Sequence, residues 1–156
     1  MPLDYGICYL FWWFTDSNTY IKTFTMTQTE KTLQLIDLCA RLPYGVKVFY
    51  KYKTWDSEKF ATSIRLADGK IALSSKFEKE GDWFPIEEAG EILIKPYLRP
   101  MSSMTEEEKK YYQAFFNYDG VEYPEGYIDW LNAHHFDYRG LIERGLALEA
   151  PEGMYI

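Results

Sequence analysis

An α+β fold is predicted, with an N-terminal helix, a small antiparallel sheet of about four strands, and two to three C-terminal helices. Three observations lead there. The apolar period changes from helical to alternating at Val46, two capping boxes mark helix starts, and Asp68-Gly69 separates two alternating runs. The chain has 156 residues and is 47% apolar, enough to bury one core without metals or disulfides.

The first helix opens at Thr27, whose pairing with Glu30 satisfies N–H groups that a helix start leaves free. Leu35, Leu38, Cys39 and Leu42 recur at helical spacing and predict one buried stripe, which Pro43 and Gly45 terminate. Val48, Tyr50 and Tyr52 then alternate with Phe49, Lys51 and Lys53, as on a half-buried antiparallel strand. From Phe60 the alternation places Phe60, Thr62, Ile64 and Leu66 on one face of a second strand. Asp68-Gly69 turns it back into Ile71–Ser74. After a charged loop over Lys76–Gly81, Ile92–Tyr97 is a fourth strand. Pro96 lacks an N–H, which predicts an edge or exit position there.

A second helix opens at Thr105 with Glu108, and Glu106 and Glu107 suit the positive end of its dipole. It carries Tyr111, Tyr112, Phe115 and Phe116, and Asn117, Asp119 and Gly120 end it. A third helix is expected over about Tyr127–Phe136, with Ile128, Leu131 and His135 on one face. Gly140 and Gly145 bracket a short turn around Leu141 and Ile142, and the tail reads as one short strand and a loose end. A helix followed by a sheet of this size also suits a small SH3-like or Sm-like barrel. That is fold analogy and carries no function.

The segment Tyr5–Phe14 is apolar and aromatic and has neither period. It lacks a basic flank and a small-residue cleavage site, so it does not read as a signal peptide. A helix start directly behind Met26 points to that methionine as the natural initiator. Residues 1–25 are then a non-native or loosely attached leader, and 26–156 a single α+β domain. The other reading is an extra strand packing its aromatics on the core.

The net charge is −7, and residues 101–156 carry four basic against eleven acidic groups. That balance disfavours nucleic acid, whose phosphates demand Lys and Arg. It suits a solvated face, or one that draws in basic protein surfaces. Two cysteines form no disulfide framework and fit a reducing, cytoplasmic setting. No apolar run reaches the roughly 20 residues that span a bilayer, so no membrane partner is expected.

Catalytic signatures such as GxSxG, the P-loop and GxGxxG are missing from the sequence, and the Glu87-Glu88 pair has nothing to set it across a cleft. An enzyme, a catalytic residue and a cofactor are therefore not expected. Asp129, His134, His135 and Asp137 are of metal-ligand type, but adjacent histidines diverge by about 100° on a helix, so no metal is expected. His135 instead extends the Leu131 face, while His134 is solvated or caps the helix end. Cys8 lies in the leader, and Cys39 on its apolar stripe reads as a buried small hydrophobe.

Aromatic residues make up 19% of the chain, more than a small core uses, and aromatics concentrate in protein interfaces. The loop Tyr97–Met104 is expected to expose Met, Arg and Pro. The binding candidates are Tyr97, Arg99, Met101 and Met104 there, and Trp130, His134, Asp137 and Arg139 around the third helix. Asp137 and Arg139 are also placed to form a local ion pair that fixes the final turn.

The stretches LIDLCARLPYGV, IKPYLRPMSSMTEEE and IDWLNAHHFDYRGLIERGLALEAPEGMY anchor a match that covers about half the chain. They resemble uncharacterised short proteins of Bacteroides-group gut bacteria, their prophages and related phages. The resemblance implies a phage or mobile-element origin and supports Met26 as the start. It implies no activity and transfers no functional residue. The expected role is a non-catalytic module binding a host or phage protein. The alternative is an accessory protein that binds single nucleic-acid strands through the basic strand Lys47–Lys53.

Overall fold

The computed structural model describes residues 26–77, 79–86, 92–115 and 126–155. The leader with Cys8, the Glu87-Glu88 pair, and the helix end at Phe116, Asn117, Asp119 and Gly120 lie outside the described residues.

Helix α1 spans Gln28–Arg41, and its capping box forms as expected. The Thr27 N–H donates to Glu30 Oε2 at 2.8 Å, and the Glu30 N–H donates to Thr27 Oγ1 at 3.3 Å. Pro43 sits in a 3-10 turn over Leu42–Tyr44, and Gly45 ends it at a φ of 71°. A Cβ at Gly45 would also come within 3.2 Å of the Phe77 ring. The buried side of α1 differs from the expected stripe. It is Gln34, Asp37, Leu38 and Arg41, whereas Cys39 is exposed. A charged pair displaces leucine and cysteine there because the pair is satisfied internally, as described below.

The six strands are β1 (Lys47–Tyr52), β2 (Trp55–Arg65), β3 (Lys70–Ser74), β4 (Asp82–Pro85), β5 (Ile92–Leu98) and β6 (Leu148–Glu149). Their order is β4-β3-β2-β1-β5-β6. The β5–β6 pair is parallel and the others are antiparallel, so the sheet is mixed. Among the described residues it is an open sheet and not a closed barrel. The edge strand β6 is the short strand expected in the tail, and the other edge, β4, is an additional strand whose four residues are too few to show a period.

Strand β2 starts at Trp55 because a two-residue turn, with Lys53 at a φ of 52°, joins it directly to β1. Glycine or asparagine usually signals such a turn, and neither is present here. The expected face of β2 is also corrected. Ala61 is fully buried and Leu66 is exposed. A bulge between Ala61 and Ser63 inserts Thr62, so Ala61 and Ile64 both point toward the core. The Asp68-Gly69 hairpin forms, with only Gly69 at positive φ, and Asp68 holds Arg65 at 2.7 Å. Gly81, entering β4, passes so close to Leu73 that a Cβ would overlap its backbone at 2.5 Å.

The main core lies between α1 and one sheet face. It is built from Leu38, Val46, Val48, Ala61, Ile71, Leu73 and Ile94. Strand β5 is internal in the sheet order, but β6 pairs only with Tyr97 and Leu98. Beyond β6 a buried side chain acts in place of a strand. Gln34 Nε2 donates to the Ile94 carbonyl at 3.1 Å and to the Leu146 carbonyl at 2.7 Å.

Helix α2 (Glu106–Ala114) has its capping box, and α3 (Tyr127–Ala133) is shorter than expected. It ends because His135 adopts a φ of 58°, a left-handed conformation that cannot continue a helix. Leu131 is fully buried as expected, but Ile128 is 44% exposed. The turn between Gly140 and Gly145 forms, with both glycines at positive φ. No described helix is long and apolar enough to cross a membrane.

The tail is not loose. The Tyr155 hydroxyl accepts from the Lys47 N–H at 3.0 Å and donates to the Tyr97 carbonyl at 2.9 Å, bridging β1 and β5. Its ring stacks on His135 at 3.8 Å, and burial pushes the phenol pKa above its ordinary value. Tyr155→Phe keeps the stack but strands two backbone groups. A loss of about 1–3 kcal/mol is expected in urea denaturation, the cost of leaving buried polar groups unpaired.

Candidate functional site

The eight predicted binding residues separate into three places. Met101, Met104, Trp130 and His134 gather with Arg99 around the α2–α3 cluster. Asp137 and Arg139 enter a buried polar hub. Tyr97 stands apart on the sheet face opposite α1.

The α2–α3 cluster has a buried floor and an exposed rim. Its floor is Met104, Leu131 and Phe136, with Met101, Tyr112, Tyr127, Trp130 and Tyr138 packed against it. The predicted exposed loop is therefore corrected: Met101–Ser103 is a 3-10 turn, and Met104 is only 7% exposed because it fills this floor. The rim is aromatic. Tyr111 meets Phe115 edge-on at 5.1 Å and Trp130 at 5.2 Å, and Trp130 meets His134 at 4.4 Å. Tyr111 and Phe115 are one helical turn apart, which brings both rings to the same side of α2. Tyr111 remains 54% exposed. Exposed Glu107 lies one turn before Tyr111, and exposed Asp129 precedes Trp130.

Arg99 holds this cluster to the sheet. Its guanidinium lies 4.2 Å from the Phe136 ring centre and grips Glu108 through two bonds of 2.8 and 2.9 Å. Glu108 also accepts the Thr105 N–H at 2.8 Å. The hydrogen bonds from Arg99, reinforced by Thr105, hold the Glu108 carboxyl down to about 2. Arg99 therefore serves as a strut, with its planar fork fully engaged.

The polar hub is built on α1. Arg41 Nε and Nη2 grip the Asp37 carboxylate at 2.8 and 3.0 Å, and both side chains are fully buried. Arg41 Nη2 also donates to the Phe136 carbonyl at 2.8 Å. Arg139 is paired with Asp37 at 3.3 Å and not with Asp137. Asp137 instead accepts the Leu141 and Ile142 N–H groups, each at 2.8 Å, and so caps the final turn. The expected Asp137–Arg139 ion pair is thus replaced by two bonds from backbone N–H groups, which a carboxylate accepts readily. The His134 Nδ1 lies 2.9 Å from the Trp130 carbonyl, which caps the end of α3 as expected. Among the described residues no group of three or more His, Cys, Asp or Glu is arranged to hold a metal.

Tyr97 is half-buried on the far sheet face, with burial and the Glu58 and Asp56 carboxylates raising its phenol pKa. The basic strand is partly neutralised there. Lys47 Nζ meets Glu58 at 3.0 Å and lies over the Phe60 ring, while Lys53 lies over Tyr52. Cys39 is exposed, yet partial burial raises its thiol, which keeps it in the less nucleophilic form. A shallow groove along α1, lined by Gln28, Thr29, Thr32, Leu33 and Ile36, brings no charged side chain to bear on a ligand.

Sequence reasoning missed Tyr111, Phe115, Asp37 and Arg41 as site or hub residues. The i, i+4 spacing of Tyr111 and Phe115 was a usable signal for a shared face. The same spacing of Asp37 and Arg41 reads as a solvated pair, because burial is invisible along the chain. Comparison with protein families, curated proteins and solved structures finds no match in any of the three.

Proposed function

We propose that the chain is a non-catalytic protein-binding module of phage or mobile-element origin. It would engage a basic surface on a host or phage protein through the aromatic rim Tyr111–Phe115–Trp130–His134. The observation that carries this reading is the 54% exposed Tyr111 ring, packed against Trp130 at 5.2 Å above a buried floor. An aromatic side chain held rigid by its neighbours can bury area in a complex with little loss of freedom. The four-against-eleven imbalance of basic and acidic groups beyond residue 100 supplies charge complementarity to a cationic partner.

The test is affinity capture from nuclease-treated host lysate, comparing the wild-type chain with Tyr111→Ala. A stoichiometric partner that dissociates more readily as salt rises is expected. Tyr111→Ala is expected to weaken its capture at least tenfold, with the unfolding midpoint little changed. Equal capture by the variant would remove the rim from the reading. Recovery of partners only without nuclease would move it to the nucleic-acid alternative, which has less support because Lys47 is paired with Glu58.

A further inference from the structure

Resting on the reading of the aromatic rim as the binding surface, we infer that it takes an arginine side chain of the partner. The guanidinium lies on the exposed face of Tyr111, and its N–H groups fork on the Glu107 carboxylate.

The fold builds this arrangement twice from its own residues. The Arg99 guanidinium lies 4.2 Å from the Phe136 ring centre while Glu108 accepts two of its N–H groups at 2.8 and 2.9 Å. The Arg65 guanidinium lies 4.5 Å from the Trp83 ring centre while Asp68 accepts two of its N–H groups at 2.7 Å. In both, a ring takes the flat face of the cation and a carboxylate takes its edge. Only a planar, forked cation meets both demands at once.

Tyr111 and Glu107 present the same ring and carboxylate to the outside. They are one helical turn apart on α2, which sets both side chains on one side of the helix. Tyr111 is 54% exposed, and its contacts with Phe115 and Trp130 hold the ring in place. Three glutamates open α2. Lys109 holds Glu106 at 2.7 Å and Arg99 holds Glu108, whereas Glu107 is exposed and in no ion pair among the described residues. No described Arg or Lys lies over Tyr111. Residues 116–125, which follow α2 in the chain, contain neither Arg nor Lys but hold Asp119, Glu122 and Glu125. The cation for this ring therefore comes from a partner. Lysine carries the charge but is a compact, strongly hydrated point that neither stacks flat nor forks.

The test is a nuclear magnetic resonance titration of the full chain at low salt with the peptide acetyl-Gly-Arg-Gly-amide. Two further peptides carry lysine, or citrulline, which keeps the planar shape without the charge. Saturable shifts centred on the Tyr111 ring and the Trp130 indole are expected with arginine, weaker binding with lysine, and no saturation with citrulline. Tyr111→Ala is expected to weaken the arginine peptide about two- to fivefold and Glu107→Gln about twofold, while Tyr111→Phe keeps the ring and the affinity. Citrulline or lysine binding equal to arginine, shifts centred away from Tyr111, or an unchanged affinity in Glu107→Gln would each overturn the arginine site. Failure of the arginine peptide while Tyr111→Ala still loses the captured protein partner refutes the guanidinium and leaves the rim as a protein-binding surface. Capture that is indifferent to Tyr111→Ala removes the rim itself.

Discussion

Arg41→Met is expected to destabilise the fold by about 3–5 kcal/mol, the range for breaking one side of a buried ion pair. For a chain of this length that corresponds to a fall in Tm of about 10 °C or more. The methionine is close to arginine in length but leaves two groups behind. Asp37 stays fully buried with only Arg139 at 3.3 Å to balance it, and the Phe136 carbonyl loses its 2.8 Å donor. The double variant Asp37→Leu, Arg41→Met removes both charges together and is expected to lose less than Arg41→Met alone, since the desolvation penalty disappears with the charge. Arg139, whose side chain is 25% exposed, can then turn to solvent. Denaturant titration of the three proteins measures this. A single variant within about 1 kcal/mol of wild type, or a double variant worse than the single, would show that the pair is not a stabilising hub.

Acidification from pH 6.5 to pH 4.5 is expected to cost about 2 kcal/mol of stability through His135 alone. Burial first, and then the Arg41 charge, depress its pKa to about 3 from an ordinary value of 6.5. The unfolded chain therefore binds a proton that the folded chain refuses over the whole of that interval. Stability rises with pH wherever the unfolded state holds more protons, so this contribution is complete above pH 6.5 and falls toward pH 3. Arg41, Arg99 and His134 face the ring with positive or protonatable groups, and the Tyr44 carbonyl is the one contact that favours protonation. Glu108, held at about 2, acts at lower pH: its contribution is present above 4.5 and is lost as pH falls toward 2. The two effects are thus separable. His135→Asn is the control, because asparagine tolerates the φ of 58° and does not titrate. Its stability is expected to be lower at neutral pH and nearly flat between pH 6.5 and 4.5. An unchanged slope in that variant would assign the acid sensitivity to other groups.

The helix starts were legible because a capping box is a local device. Thr27 with Glu30 and Thr105 with Glu108 each bond within four residues, so no distant contact is needed to find them. The β1 alternation and the Asp68-Gly69 hairpin were legible for the same reason. The bulge at Thr62 was not. A single inserted residue reverses the faces of everything after it, and the register that requires it belongs to β3.

The candidate site divides along the same line. Its aromatic supply and the acidic surplus beyond residue 100 are properties of composition, and the chain alone establishes them. Which aromatics meet was decided by the docking of α2 on α3, where Trp130 serves both the rim and the floor. Arg99 and Asp137 looked like contact residues because charged side chains are usually solvated. The fold brought Glu108 to Arg99 and two free N–H groups to Asp137, turning both inward. Local sequence thus set the helix starts, the first strands and the turn, whose energies come from neighbours along the chain. Burial of Asp37, Arg41 and His135 depends on partners up to about a hundred residues away, such as Phe136 for Arg41 and Tyr44 for His135. Sequence spacing carries no record of such partners, because the charge is stabilised only after the chain has closed around it.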